Sequence, residues 1–540
     1  MKIIFRLSFI LCFLCITILL LIIFMKPIFI SNNIMFPYSF EEFNIVEKYP
    51  ILWFNIKLLY IFFYIMSNII ISNSIFNLIF KNYKNPQTST KKNDDKKFKL
   101  FIGKDSDDNK IFIEENGLYQ NFLISGTTGS GKTSSAIYPF TKQLIEYQNP
   151  KLGMLILDVK GNFHKQVKQF CNIFDKENDL ITIEINGKFK YNPLHKPNIS
   201  PLILANRIKS ILLLFSENNS DSYWLDKVEQ VLCEAIKLCR IYNDNYVNFL
   251  ELHKLITDNE YYILKTSVIK NLFQEKKLSE KEMYDTLTAI NFFETEFYKL
   301  DSRVLSIIKS EITRITNLFI NDLDILNTFC SKSKEDLNFT GFKEVIKNHK
   351  IVVLNMNIAK HKNLSKIIAA YLKLDFQDEV LQCIENNTIQ PTAFICDEYH
   401  EYSTTNDANF FALSREAKCI NIIATQSYTS ILNTLKNEYT TKVIIQNLIN
   451  KIWFRTDDMF TIEEAQKQLG KEDKVKISKN ISENSNDINY SILIDSLKSD
   501  NHSFTESIST YIQTDYIYDT NYFTKNLKTF EAIAFLSNRL

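Results

Sequence analysis

Glycine, proline and tryptophan are scarce in this chain of 540 residues, which holds 10, 10 and 3 of them. So little glycine and proline excludes a collagen-like or low-complexity protein. No internal repeat is present, which excludes a solenoid or a propeller. The nine cysteines form no disulfide-like or zinc-like framework, and scattered thiols fit a reducing compartment. The one C-x-x-C, Cys12 to Cys15, lies inside an apolar run. It reads as a packing or lipid-facing pair, because redox and zinc chemistry need water-accessible thiolates. Seven histidines show no metal spacing. An excess of one charge is also lacking: 63 Lys and Arg against 62 Asp and Glu leave +1. Any basic surface for a polyanionic partner is therefore local.

The N-terminus does have long apolar runs. Leu7 to Met25 and Leu58 to Phe80 contain no charged residue, and each reaches the roughly 20 residues that a spanning helix needs. The first is long for a signal-peptide core, and no small-x-small cleavage site follows it before Lys26 and Pro27. Both are read as transmembrane helices, about 7–25 and 58–80, within a membrane anchor over 1–81. Lys2 and Arg6 precede the first, while Lys81, Lys84, Lys91, Lys92, Lys96, Lys97 and Lys99 follow the second. The positive-inside rule then puts both termini in the cytosol. The polar stretch 82–97 reads as a tether.

Asn121 to Ser125 is a short apolar strand pattern. Gly126-Thr-Thr-Gly-Ser-Gly-Lys-Thr133 follows, and a helical pattern starts at Ser134. G-x-x-x-x-G-K-[ST] between a strand and a helix is a phosphate-binding loop. Three of the chain's 10 glycines fall in this octet, a concentration that argues against a chance match. Gly126, Gly129 and Gly131 let backbone N–H groups curl round phosphates without side-chain clash. Thr127, Thr128, Ser130 and Ser134 line the same turn, whose helix N-terminus favours negative charge. Lys132 is expected to reach the β and γ phosphates of ATP, and Thr133 to offer its hydroxyl to Mg²⁺.

Three further strand ends carry polar residues. Leu152 to Leu157 ends at Asp158, which either faces the ligand crevice of an α/β sheet or caps the next helix. Ala393-Phe-Ile-Cys-Asp397-Glu398 is an apolar strand ending in an acidic pair. Beside a phosphate loop, Asp397 is expected to hold Mg²⁺ through water and Glu398 to polarise the attacking water. Ile420 to Ala424 ends at Thr425-Gln426, where Gln426 can sense the γ-phosphate or position water. Arg415, just before that strand, is either a surface helix residue or a finger reaching a neighbouring subunit's γ-phosphate.

The ordered set GTTGSGKT, ILDVKGNF, FICDE and SREAKCINIIATQS resembles the HerA/FtsK superfamily of ring-forming DNA pumps. Within it the chain most resembles type IV secretion coupling proteins of TraG/TraD type. Two membrane helices round a short loop, Tyr191-Asn-Pro-Leu194, and a helix starting at Asn363 to Tyr371 favour that branch. So do Asn450 to Thr456, Thr461 to Gly470, and a closing strand Phe530 to Phe535. The resemblance implies a RecA-like α/β P-loop NTPase domain, discontinuous over 98–200 and 320–540, with an inserted all-α domain at 201–319. It implies a homohexamer at the bacterial inner membrane that couples ATP hydrolysis to delivery of DNA or a relaxase–DNA complex into a secretion channel. The DNA is expected to be single-stranded and bound without sequence preference. By position, Lys132 and Thr133 bind phosphate and Mg²⁺, Asp397 and Glu398 form the acidic pair, Gln426 is the sensor and Arg415 the finger in trans. Asp158 and Lys160 match the family's Asp-x-Lys-Gly, with Val159 where proline is usual. The chain ends soon after the closing strand, without an acidic tail or a winged helix. That leads us to expect no tail-mediated docking and disfavours the chromosome-segregation branch. Two alternatives remain at this stage: a double-stranded DNA pump without a channel, and a recruitment platform for protein effectors.

Between Pro201 and Phe319 the pattern is helical, with Trp224, Leu225, Val228, Leu232, Ala235 and Cys239 on one amphipathic face that reads as core packing. His400 is expected to support or pack near the acidic pair rather than to catalyse. Lys474 to Asp500, rich in Ser, Asn and Lys, reads as a surface loop or a small excursion.

Overall fold

The computed structural model describes residues 98–149, 151–158, 161–215, 222–275, 277–356, 358–484 and 503–537. It also describes a two-residue strand pair, Met35–Phe36 with Tyr38–Ser39, and seven helical positions within 51–67. The chain divides into two compact units, Met1–Lys96 and Lys97–Leu540. In the first, the described helical positions include Leu59, Phe62, Phe63 and Met66, all exposed apolar side chains. The expected span 7–25, the rest of 58–80 and the tether at 82–97 lie outside the described residues, as does Lys160. Among the described residues no helix is long and apolar enough to cross a membrane.

The second unit is built on an eight-stranded sheet. Its strands are β1 (Phe122–Ser125), β2 (Gly153–Leu157), β3 (Leu180–Ile183), β4 (Ile351–Leu354), β5 (Thr392–Cys396), β6 (Cys419–Thr425), β7 (Asn450–Phe454) and β8 (Ala532–Phe535). The order is β8-β7-β1-β6-β5-β2-β4-β3. All neighbours are parallel except β8, which closes antiparallel on β7. Strands buried on both faces read as continuous apolar runs, and β1, β2, β4, β5, β6 and β7 are buried at every position. Successive residues serve opposite cores, as period two demands. Ile124, Ile156, Val353, Ile395 and Ile422 pack under α1 (Tyr138–Glu146) and α2 (Phe163–Ile173). Leu123, Leu155, Val352, Phe394 and Ile423 face the other way.

That second face meets helices alone. Between β3 and β4 the described residues hold helices α3 (Pro201–Leu213), α4 (Ser222–Tyr242), α5 (Phe249–Thr257), α6 (Asn259–Gln274), α7 (Glu280–Asn291), α8 (Ser302–Ile320), α9 (Leu323–Phe329) and α10 (Phe342–Lys347), and no strand. Leu225, Val228, Leu232, Ala235 and Cys239 of α4 are all buried, in one cluster with the sheet residues Leu123, Leu155 and Phe394. Phe249 stacks on Phe319, with ring centroids 4.1 Å apart.

The Tyr191-Asn-Pro-Leu194 segment ties the exit of β3 to these helices. Tyr191 Oη donates to Asp375 Oδ2 at 3.1 Å, and Asn192 Nδ2 donates to Val247 O at 2.9 Å. Asp375 lies on α11 (Ile358–Glu385). It also receives Lys196 Nζ at 2.6 Å and Arg207 Nη1 at 3.5 Å. The remaining helices are α12 (Asp407–Leu413), α13 (Tyr428–Leu435), α14 (Glu438–Asn447) and α15 (Met459–Leu469).

Of the stretch expected as a surface loop or a small excursion, 474–500, the described part is strand: Lys471–Asn484 pairs antiparallel with Ser503–Tyr516 in a long ribbon. The alternation of Val475, Ile477 and Ile481 supports a strand, but interspersed Lys, Ser and Asn hide it in the composition.

Burial pushes the imidazoles of His164, His195, His253, His349 and His400 below the usual histidine value. The unfolded chain therefore takes up protons first as pH falls through about 6.5, and stability present above that pH is lost below it. The urea midpoint of the full chain is expected to fall between pH 7 and pH 5.5. A midpoint that rises over this range would contradict the packing described.

Candidate active site

The phosphate loop springs from the carboxyl end of β1. Gly126, Gly129 and Gly131 have φ of 154°, 80° and 105°, a region that favours glycine. Gly126 N–H donates to Gln426 O at 3.2 Å and Thr127 N–H to Arg455 O at 2.8 Å. The loop is thus held from the ends of β6 and β7, its two neighbours. Lys132 is nearly buried, with Nζ donating to Gly126 O at 2.5 Å and Thr127 O at 3.1 Å. Ser130 Oγ is buried with no hydrogen-bond partner among the described residues. The helix continues from the loop as one π-turn, Thr133–Ile137, into α1.

The acidic pair ends β5, two strands from β1 with β6 between them. Thr133 Oγ1 donates to Asp397 Oδ2 at 2.8 Å, so the two strand ends meet across that gap. Asp397 N–H continues the ladder onto Leu157 O at 3.0 Å, and Asp397 Oδ1 accepts from Glu398 N–H at 3.0 Å. Glu398 is 5% exposed and has φ 52°. A bulky residue in the left-handed region is strained, and such strain clusters at functional sites. His400 Nδ1 lies 3.2 Å from Thr425 Oγ1 and 3.9 Å from Glu398 Oε2. Burial lowers its pKa against the opposing pull of Glu398 and Glu401, so the ring is neutral at pH 7.

The segment after Glu398 is fixed by a fully buried ion pair that sequence reasoning missed. Lys373 Nζ on α11 lies 2.6 Å from Asp407 Oδ2 on α12, both side chains 0% exposed. Lys373 also donates to Tyr402 O at 2.7 Å and Thr404 Oγ1 at 3.0 Å. Asp407 accepts from Tyr399 Oη at 2.5 Å, Thr404 N–H at 2.9 Å and Gln377 Nε2 at 3.0 Å. Burial pushes the Lys373 ammonium down, opposed by Asp407, and pushes the Tyr399 phenol well up. The sequence carried a signal: Lys373 and Asp375 are charges set in the apolar run Ile367 to Phe376, and a charge kept in a core needs a partner.

The other expected site residues separate by place. Thr127, Thr128, Gly129, Ser130, Gly131 and Ser134 lie in the loop itself. Gln426 is exposed at the end of β6, and its carbonyl holds Gly126. Asp158, at the end of β2, accepts from Asn162 and Phe163 N–H at 3.1 Å each. Its carboxylate thus holds the first backbone N–H groups of α2, whose own N-cap residue Asn162 makes no side-chain cap. Arg415 sits at the amino-terminal end of β6, the edge of the sheet opposite to Lys132. Its Nη1 and Nη2 lie 3.2 and 3.3 Å from the Gln120 amide oxygen once that amide is oriented to accept. It borders a cleft of about 360 Å³ shared with Glu115, Tyr119, Lys418 and Ser537. The length of β1, ~13 Å, separates this edge from the protein's own phosphate loop.

The Thr133 hydroxyl and the Asp397 carboxylate meet at the end of the glycine turn, with Lys132 and Glu398 their neighbours in sequence. This donor set fits a nucleotide phosphate chain with a divalent cation, Lys132 facing phosphate and Thr133 with Asp397 facing the metal.

The family model for the type IV secretion-system coupling protein DNA-binding domain matches residues 109–508. The fold is similar to the bacterial conjugative coupling protein TrwBΔN70 in its unbound monoclinic form. The identity is 11% over 79% of this chain and 85% of that one, with a TM-score of 0.53. The trigonal form of that protein, solved with sulphate, aligns over 78% and 84% at 11% identity and a TM-score of 0.53. The plasmid coupling protein TrwB in complex with ADP and Mg²⁺ aligns over 66% and 76% at 11% identity and a TM-score of 0.49. No curated protein matches the sequence.

Removing one partner of a buried pair leaves a charge without compensation. Lys373→Ala is therefore expected to destabilise the chain by ~3–5 kcal/mol, read from its urea midpoint. A loss below ~1 kcal/mol, no more than a surface pair contributes, would contradict the burial described.

Proposed function

This chain belongs to the family of type IV secretion-system coupling proteins, and from that premise we propose that it is a membrane-anchored, ring-forming ATPase that drives DNA toward a secretion channel. The observation that carries the reading is the meeting of Thr133 and Asp397 at 2.8 Å, with Lys132 and Glu398 beside them. ATP is the nucleotide and Mg²⁺ the metal. Thr133 and, through water, Asp397 would hold the metal, which would supply charge neutralisation along the phosphate chain. Lys132 leaves the Gly126 and Thr127 carbonyls and pairs with the phosphate oxygens. The Glu398 carboxylate accepts a proton from the attacking water. Asp158 acts from one step away, fixing α2 at the edge of the crevice.

Arg415 lies too far from its own phosphate loop to serve it. Its place at the opposite edge of the sheet, beside an open cleft, suits a finger offered to a neighbour in a ring. Gln426, at the rim and bonded through its carbonyl to the loop, senses the γ-phosphate. The two N-terminal apolar runs anchor the ring in the inner membrane with both termini cytosolic. The helices at 201–319 form the domain that meets substrate. Channel components and a relaxase–DNA complex are the partners that this reading requires.

The test is ATP turnover by the full chain without DNA, with single-stranded DNA and with duplex DNA. Stimulation by single-stranded DNA, weakening as salt rises, is the expected result. Lys132→Ala abolishes turnover. Glu398→Gln lowers kcat by ~10²–10⁴ while ATP still binds. Arg415→Ala lowers kcat by ~10³–10⁵. Turnover indifferent to DNA in a chain that forms rings would favour a protein-recruitment platform instead.

A further inference from the structure

A turn far away in sequence lies on the phosphate loop. Lys528 to Glu531 forms a bend closed by Glu531 N–H to Lys528 O at 3.1 Å and by Lys528 N–H to Glu531 Oε2 at 3.0 Å. Both flanks are fixed: Leu527 and Ile533 are buried in one cluster with Trp453. At its corner Phe530 N–H donates to Ser130 O at 3.1 Å. The Phe530 ring leans on Gly131, where a Cβ would stand only 2.6 Å from Phe530 Cδ1.

Two features of Phe530 lack a folding rationale. Its φ is 74°, a region where glycine or asparagine is at ease and a bulky residue is an outlier. Its side chain is 64% exposed, so the ring gives up the burial that a phenyl group gains in a core. Strain and an unburied ring are thus kept together, on a rigid mount, against the loop expected to hold phosphates. An aromatic face in that position suits the one part of a nucleotide that the loop itself does not address. Bases stack on aromatic rings, and that stacking asks for no hydrogen-bond code.

We propose that Phe530 is the nucleobase platform of this site, its ring stacking on the base while Ser130, Gly131 and Lys132 hold the phosphates. The proposal rests on the reading of the loop as an ATP site and adds where the base lies. It also gives Gly131 a second reason to be glycine, since any side chain there displaces the platform.

The test is calorimetric binding of ATP and of inorganic tripolyphosphate to the full chain, as wild type, Phe530→Ala, Phe530→Tyr and Lys132→Ala. Phe530→Ala is expected to weaken ATP about 10-fold or more and to leave tripolyphosphate unchanged, with Phe530→Tyr restoring ATP binding. Lys132→Ala weakens both. If Phe530→Ala weakens both ligands equally, the ring is a wedge that shapes the loop, and the proposal fails while the ATP site stands. It fails in the same way if Phe530→Ala weakens neither. If wild type binds neither ligand, the ATP-site reading fails and the platform with it.

Discussion

One hydrogen bond, Thr133 to Asp397, closes the gap between a glycine turn and an acidic strand end that do not neighbour each other in the sheet. Strands lie about 4.8 Å apart, so β1 and β5, with β6 between them, stand roughly twice that distance apart. The Thr133 hydroxyl spans that intervening strand to reach the Asp397 carboxylate. Much of the molecule serves this spacing. Complete burial of β1, β5 and β6 fixes it, and the Gln426 and Arg455 carbonyls hold the loop from its two neighbouring strands.

Helix α11 extends that constraint outward. Its Lys373 holds the segment that follows Glu398, through Tyr402, Thr404 and Asp407. Two residues on, Asp375 holds Lys196 and Arg207, at the root of the helical insert. One helix thus touches the acidic pair's support and the insert's anchor, each through charges removed from water. Charges in such a setting tolerate no casual repacking, because an unmatched partner is costly. The core of the insert is continuous with one face of the sheet, so the insert's base is an extension of the sheet's core rather than a tethered module.

Much of this was legible in the sequence because it rests on local rules. Glycines concentrated in one octet can be placed without a structure, and so can an apolar strand ending in Asp397-Glu398. The helical period of Leu225 to Cys239 gave the insert's packing face. Long-range pairings were hidden. Nothing local couples Lys373 to Asp407, or Phe530 to Ser130 across 400 positions. Asp158 was open to two readings because a strand-end aspartate serves a crevice or a helix start equally well, and its two N–H partners at the start of α2 are visible only in the fold. The two strands Lys471–Asn484 and Ser503–Tyr516 were not legible because their alternation is diluted by polar residues on both faces.

In the ring proposed above, each ATP site is completed by a neighbour, with Lys132 from one subunit and Arg415 from the next. The most direct measurement is ATP turnover by rings assembled from a mixture of Lys132→Ala and Arg415→Ala chains, each inactive alone. Turnover is expected to return on mixing, because an intact loop then meets an intact arginine at some interfaces. Mixed rings that co-assemble and stay inactive would contradict it.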